Sequence, residues 1–205
     1  MSKPRPEETP DYSAAELHGC VDAIQRSGIN FVAIDFDKTL ICIHTSGKWS
    51  GNATELSTKV RKFFREFVPL LMSRGICVAI VTFSGEVKLI QQVMHTIFPA
   101  LASMIPVRGR DLSWDYQGKG CKDGKQHYMA SAAEELNNMY NENIVPNEAY
   151  GTRLGTGFTK ITRATTMLID DDMNNICIAL KNKVRAVFCD PERTRNMIDD
   201  LLVLE

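Results

Sequence analysis

The sequence predicts an α/β fold built on a doubly wound parallel sheet with helices on both faces, and three observations carry that expectation. Short apolar runs rich in β-branched residues recur at FVAIDF (31–36), ICVAIVTF (76–83), TTMLID (165–170) and RAVFCD (185–190). Stretches with apolar residues at helical spacing lie between them, as a strand–helix–strand alternation requires. The strand runs are nearly continuous in their apolar character, which suits strands buried on both faces. Together these define a Rossmann-like arrangement.

The elements follow in order. Residues 1–12, MSKPRPEETPDY, are polar and proline-rich and are expected to be a disordered leader ahead of one domain over 13–205. A helix is expected over 13–27, starting near Ser13 and closed by Gly28-Ile29-Asn30. FVAIDF is the first strand. Residues 41–55 are rich in Gly, Ser and Thr and read as a short flap. From Glu55 to Gly75 one long helix is expected, with Val60, Phe63, Phe64, Phe67, Leu70 and Leu71 on one face. ICVAIVTF is the second strand, EVKLIQQVMHTIF a helix stopped by Pro99, and MIPVRG a short third strand. A helix beginning at Gly124-Lys125 runs through KQHYMASAAEELNNMY, and residues 144–163 form a polar, Gly-rich insertion. TTMLID is the fourth strand, DDMNNICIALKNK a short helix and RAVFCD the fifth strand. PERTRNMIDDLLVL is the last helix, opened by Pro191.

A chain of 205 residues fits a single domain of this kind. Apolar residues make up 44% and charged residues 24%, enough for a sizeable core. The formal net charge of -1 supplies no global field for nucleic acid or for an anionic membrane. No apolar run approaches the roughly 20 residues that span a bilayer, and the N-terminus lacks the apolar stretch of a signal peptide. The sequon Asn52-Ala53-Thr54 is accordingly read as chance. Six cysteines (Cys20, Cys42, Cys77, Cys121, Cys177 and Cys189) have no CxxC or zinc-type spacing. Reduced, mostly buried thiols in a cytoplasmic or nuclear protein are expected.

In doubly wound sheets ligands bind beyond the carboxyl ends of the strands, so the residues there matter most. The first strand runs into Asp35-Phe36-Asp37-Lys38-Thr39, and strand alternation sends Asp35 and Asp37 to one side. The second ends in Thr82-Phe83-Ser84 and the fourth in Asp170-Asp171-Asp172. Lys125 stands at the start of the helix between the third and fourth strands, after a loop that also holds Lys119 and Lys122. Two carboxylates about 4 Å apart repel by roughly 4 kcal/mol at an effective dielectric near 20. Gathering Asp35, Asp37, Asp170 and Asp171 therefore calls for a cation. Hard oxygen ligands without His or Cys point to Mg2+. Magnesium beside a lysine and a hydroxyl suits a phosphoryl group.

In this order the residues resemble the haloacid dehalogenase (HAD) superfamily of aspartate-nucleophile phosphatases. Its DxDxT motif matches Asp35, Asp37 and Thr39; its strand-ending Thr or Ser matches Thr82; its helix-start lysine best matches Lys125; its acidic pair matches Asp170 and Asp171. The likeness extends over roughly residues 31–190. It implies a HAD-like core and a magnesium-dependent phosphatase in which Asp35 is the nucleophile and Asp37 the general acid and base. It further implies that Thr82 and Lys125 bind substrate phosphate; Thr39 of the motif is grouped with them, and Ser84 serves the phosphate instead should Thr82 be an ordinary strand residue. Asp35, the backbone carbonyl of Asp37, Asp170 and Asp171, the last directly or through water, would hold the metal. The intervals between motifs are too short for a separate cap domain of about 50 residues or more. An open site, for a macromolecular or a small phosphorylated substrate, is expected.

Other readings compete. Lys122 and Lys160 are rival candidates for the phosphate lysine. His44 either contacts substrate or is simply solvated, His127 is read as solvated or packed, and Trp49 either covers substrate or staples the flap. Asp172 is expected to cap a helix. Arg108, Arg110, Lys119, Lys122 and Lys125 are read as a solvated loop rather than a basic patch, and Gly118–Lys125 lacks the spacing of a phosphate-binding GxxxxGK[ST] loop. A receiver-like phospho-accepting domain is the alternative from another class, disfavoured because its phosphorylated Asp belongs on the third strand. A catalytically idle binding module of the same fold is the third reading.

Overall fold

Among the residues that the computed structural model describes, 11–116, 118–141 and 159–205, five strands form one parallel sheet. They are β1 (Phe31–Ile34), β2 (Cys77–Val81), β3 (Val107–Arg108), β4 (Thr166–Asp170) and β5 (Arg185–Phe188), in the spatial order β3-β2-β1-β4-β5. The order reverses beside β1: the chain steps outward through β2 and β3, then returns to add β4 and β5 on the other side. This is the doubly wound α/β fold that the sequence predicts. Central β1 pairs with β2 and β4 in matched register, Ile34 lying opposite Ile80 and Ile169. All four β1 residues are fully buried, as a strand covered on both faces must be.

Strand alternation sorts the core into two layers. Val32, Ile34, Val78, Ile80, Met167 and Ile169 face one side. There they meet α1 (Ala14–Arg26), α3 (Lys62–Ser73), α4 (Val87–Ile97) and α7 (Thr194–Leu202) through residues such as Val21, Phe64, Phe67, Ile90 and Ile198. Phe31, Ala33, Ala79, Val81 and Leu168 face the other side. They pack against Tyr128, Met129, Ala132 and Leu136 of α5 (Gln126–Asn141) and Ala179 of α6 (Met173–Lys181). Helix α1 starts where Ser13 and Glu16 exchange capping bonds, Glu16 N–H donating to Ser13 Oγ and Ser13 N–H to Glu16 Oε2. It lies beside α7, closely enough that a Cβ on Gly19 would meet Leu202 at 2.9 Å. At the far end of the sheet, Arg185 at the start of β5 donates to the carbonyl of Glu205.

Several boundaries differ from the sequence expectation. The expected single helix from Glu55 to Gly75 is two, a short α2 (Ala53–Ser57) and α3. Between them Lys59 accepts from the Cys42 amide, Val60 pairs with Ile41, and the Arg61 amide donates to Leu40. These outside partners take backbone groups that a continuous helix would bond itself, so the base of the flap breaks the helix. The third strand keeps two residues because Ala102–Met104 coil into a 3-10 turn and Pro106 has no amide to give a ladder. The last helix begins at Thr194, not Pro191, since Asp190 turns the chain by accepting from the amides of Glu192 and Arg193. Of the expected leader, residues 1–10 lie outside the described residues. Tyr12 packs edge-on against Phe63, with ring centroids 5.3 Å apart. Most of the 144–163 insertion also lies outside them; at its end Ile161 is buried and its amide donates to Asn137. All six cysteines are free; Cys20, Cys77 and Cys189 are buried, while Cys42, Cys121 and Cys177 are exposed, so the thiols are less buried than expected. Among the described residues no helix is long and apolar enough to cross a membrane.

Candidate functional site

The strand ends converge where the strand order reverses, the position that favours ligand binding in open α/β sheets. Asp35 is the residue after β1, and its amide still donates to Ile169 of β4 at 2.9 Å, so the ladder fixes its backbone. The chain then makes a wide turn over Phe36–Leu40, closed by bonds from Leu40 N–H to Asp35 O and from Ile41 N–H to Phe36 O. Lys38 sits in this turn at φ 60, a left-handed conformation that non-glycine residues avoid. The result puts Asp35 and Asp37 on one pocket while Phe36, 1% exposed, goes into the core.

That pocket measures about 440 Å³ and is lined by Asp35, Asp37, Thr82, Ser84, Lys125, Asp170 and Asp171, with flap residues His44, Ser46 and Gly47 at its mouth. Lys125, the residue before α5, is 1% exposed. Its ammonium lies 2.6 Å from Asp35 Oδ1 and 3.1 Å from the Val81 carbonyl, and 4.1 Å from the centre of the Phe83 ring. Thr82 Oγ1 accepts from Ser84 N–H at 3.1 Å, and Ser84 Oγ accepts from Glu86 N–H at 3.1 Å.

Asp170 closes β4 and is fixed from two sides. Its Oδ1 accepts from Asp172 N–H at 2.8 Å, and Asn175 Nδ2 lies 3.0 Å from both carboxylate oxygens. The other end of Asn175, Oδ1, is buried and has no protein partner among the described residues, although Asn175 lines the pocket. Asp171 accepts from Thr39 Oγ1 at 3.4 Å, and Asp172 caps α6 through Asn174 N–H, as expected. The Asp37 carboxylate accepts the Thr45 hydroxyl at 2.9 Å and the Thr45 amide at 3.1 Å, with His44 Nδ1 3.2 Å from Oδ2.

Carboxylate oxygens of Asp35, Asp170 and Asp171 all lie within 4.8 Å of one another. Burial pushes the Asp35 carboxyl well above the ordinary range, Lys125 pulls it back, and Asp170 and Asp171 push it further up. Asp170 and Asp171 are raised for the same first reason, with Lys125 opposing it at Asp170 and Lys38 at Asp171. One buried lysine thus faces three crowded carboxylates, and an acceptor on Asn175 is unmet. An all-oxygen donor set without His or Cys fits a hard divalent cation.

The structure brings most of the sequence-predicted residues together and separates a few. Lys125, rather than exposed Lys122 or Lys160, reaches the acids; Lys160 borders a different cavity beside α5. Thr39 is turned towards Asp171 and does not line the pocket, because the wide turn carries it behind the acids. The Asp37 side chain stands outside the three-carboxylate group, since Thr45 holds it. Trp49 donates to the Asn52 carbonyl and packs on the core, so it staples the flap; His44, half-exposed, faces Asp37 at the pocket mouth. His127 stays near Asp123, at 3.5 Å. The site also uses three residues that sequence reasoning passed over. Asn175 left a signal, a polar residue beside Ile176 and Ala179 on the buried face of a short helix. Thr45 left none, being one of many hydroxyls in the flap, and Phe83 read as strand. No protein-family model matches the chain, and no curated protein matches it.

Proposed function

We propose that the chain is a magnesium-dependent phosphomonoester hydrolase working through an aspartyl-phosphate on Asp35, in the manner of the HAD phosphatases. The observation that carries this reading is the placement of Asp35 at the strand-order reversal, one oxygen bonded to buried Lys125 and Asp37 held beside the same pocket. Asp35, Asp170 and Asp171, with the Asp37 backbone carbonyl that the resemblance adds, would hold Mg2+, which neutralises phosphoryl charge and acts as a Lewis acid.

The protein groups do the rest. Lys125 takes Asp35 Oδ1 and leaves Oδ2 as the attacking atom. A new bond from Oδ2 to phosphorus forms as the ester P–O bond breaks, and Asp37 gives its proton to the leaving oxygen. In the second half Asp37 takes a proton from water, which attacks phosphorus and breaks the bond to Asp35, releasing inorganic phosphate. Thr82 and Ser84 each accept a backbone amide hydrogen, which leaves their hydroxyl protons for phosphoryl oxygens. Thr45 holds the Asp37 carboxyl beside the pocket, where it would meet the leaving group. The receiver-like alternative fares worse, because β3, where its phosphorylated Asp belongs, runs from Val107-Arg108 into Gly109 and Arg110.

The test is magnesium-dependent hydrolysis of an aryl phosphate. Asp35→Asn abolishes turnover, and Asp37→Asn lowers it by about 10²–10⁴-fold, the usual weight of a general acid–base group. Beryllium fluoride, an acyl-phosphate mimic, binds the magnesium-loaded wild type and not Asp35→Asn. Equal activity in Asp35→Asn overturns the reading, as does a folded wild type that neither turns over esters nor binds beryllium fluoride. A panel comparing phosphopeptides with small phosphate esters then assigns the substrate size.

A further inference from the structure

Besides its own backbone bonds, the turn that carries Asp35 and Asp37 is held from outside by one side chain. Arg61 stands just before α3, and its Nε donates to the Thr39 carbonyl at 3.1 Å while its Nη2 donates to the Lys38 carbonyl at 3.0 Å. Its own amide donates to the Leu40 carbonyl at 3.0 Å. Three successive carbonyls of the turn are therefore held by a single residue. The same Nη2 lies 3.1 Å from the carbonyl of Pro191, in the loop after β5, so the guanidinium is anchored to a second element. The first of the planes it fixes is the one that follows Lys38, whose φ of 60 is the one left-handed backbone angle in the turn. A guanidinium suits this place because its donors point in fixed, coplanar directions and meet adjacent carbonyls together, which a lysine ammonium on a flexible stem does not.

We propose that Arg61 is a positioning residue, a clamp that keeps the nucleophile turn in the strained form aiming Asp35 and Asp37 into the pocket. The kinetic side of this inference rests on the phosphatase reading; the clamp itself rests on backbone geometry. Arg61 does not line the pocket, so it acts through the turn alone. Thr82, Ser84 and Lys125 stand on other segments, after β2 and before α5, and Lys125 is also held by the Val81 carbonyl, so they are expected to keep their places when the clamp is lost. The clamp thus governs kcat more than KM. Strain at Lys38 supplies a second signature. A glycine there takes a positive φ freely and lessens the need for a clamp, whereas an alanine removes the same ammonium and keeps the strain.

The experiment measures kcat and KM for Arg61→Lys on an aryl phosphate with saturating magnesium, in the wild-type, Lys38→Gly and Lys38→Ala backgrounds. Amide hydrogen exchange is followed in parallel. Arg61→Lys is expected to lower kcat by about 10–100-fold with KM held within about threefold, because misaimed reacting groups cost rate rather than binding. In the Lys38→Gly background the same change costs about threefold or less, and in Lys38→Ala the full loss persists. The amides of Leu40 and Ile41, which close the wide turn, exchange faster, and those of β2 and β4 do not. Unchanged kcat with unchanged exchange at Leu40 and Ile41 overturns the clamp. Faster exchange across the whole sheet does so too, by making Arg61 a general brace, and so does suppression by Lys38→Ala equal to that by Lys38→Gly. A wild type that hydrolyses no phosphate ester sinks the phosphatase reading instead, and the exchange data alone then decide whether the clamp exists.

Discussion

Replacing Asp171 with Asn should make the metal-free protein more stable while weakening its response to magnesium. The carboxylate oxygens of Asp35, Asp170 and Asp171 lie within 4.8 Å of one another, and at an effective dielectric near 20 each pair at that distance repels by roughly 3.5 kcal/mol. Asp171 belongs to two such pairs, about 7 kcal/mol before screening. Against this stand attraction to Lys38 and Lys125 and the screening that a half-buried carboxylate receives from water. The side chain accepts from the Thr39 hydroxyl at 3.4 Å, a bond that the amide oxygen of Asn also accepts. A net gain of about 1–2 kcal/mol is expected, or roughly 3–6 °C in Tm for a chain of this length. Magnesium held by the three carboxylates would, at about 100 times its Kd, be expected to add roughly 2.7 kcal/mol to the wild type. Thermal unfolding in chelator and in magnesium, at matched ionic strength, reads both effects. A lower Tm for Asp171→Asn in chelator would refute the argument from repulsion. A wild type whose Tm ignores magnesium would refute the assignment of the three carboxylates to a divalent cation.

Other outcomes follow from the same geometry. Lys125→Met leaves buried Asp35 without its 2.6 Å partner and should cost about 3–5 kcal/mol in urea unfolding, part of which Asp35→Asn in the same chain restores. Failure of the double variant to recover stability would show that packing, not charge, dominates at Lys125. Burial pushes the thiols of Cys20, Cys77 and Cys189 up to about 12, so iodoacetamide at pH 8 should label Cys42, Cys121 and Cys177 and spare these three, as read by mass spectrometry. Because the folded-state values are raised, this contribution to stability is complete below the unfolded thiol value, about 8.5. It is lost as pH climbs towards about 12, so the urea midpoint should fall across that window. Gly109→Ala builds a Cβ 2.5 Å from the Ser84 carbonyl and 2.5 Å from Val87 Cγ2. It should destabilise by about 1–3 kcal/mol and raise KM for phosphate esters by moving Ser84; an unchanged KM would mean that Ser84 does not meet the phosphate.

The sheet was legible because its signal is cumulative: FVAI, CVAIV and TMLID are apolar on both faces, and only a covered parallel strand needs that. The Glu55–Gly75 helix misled for the opposite reason. Its periodicity from Val60 to Leu71 is helical, and nothing local announces that Ile41 and Leu40 will take the backbone at Val60 and Arg61. The acids were readable from the strand ends because a lone carboxylate there is unusual and four are costly. Lys125 could be ranked but not fixed from sequence, since burying a lysine depends on Asp35 and the Val81 carbonyl, which meet it only in three dimensions. Thr45 was invisible, for a hydroxyl in a loop of hydroxyls acquires its meaning only when the flap folds back onto Asp37.

The contact between Arg185 and Glu205 has a practical consequence for anyone handling the protein. Glu205 lies beside the start of β5, on the rim from which all five strands set out, and the acids lie on the rim where they finish. A dye or a sensor surface attached at position 205 therefore leaves from the side of the sheet away from the acids. A protein immobilised through that position would offer its pocket outward to the solution, so tethered and free samples should bind added ligands alike.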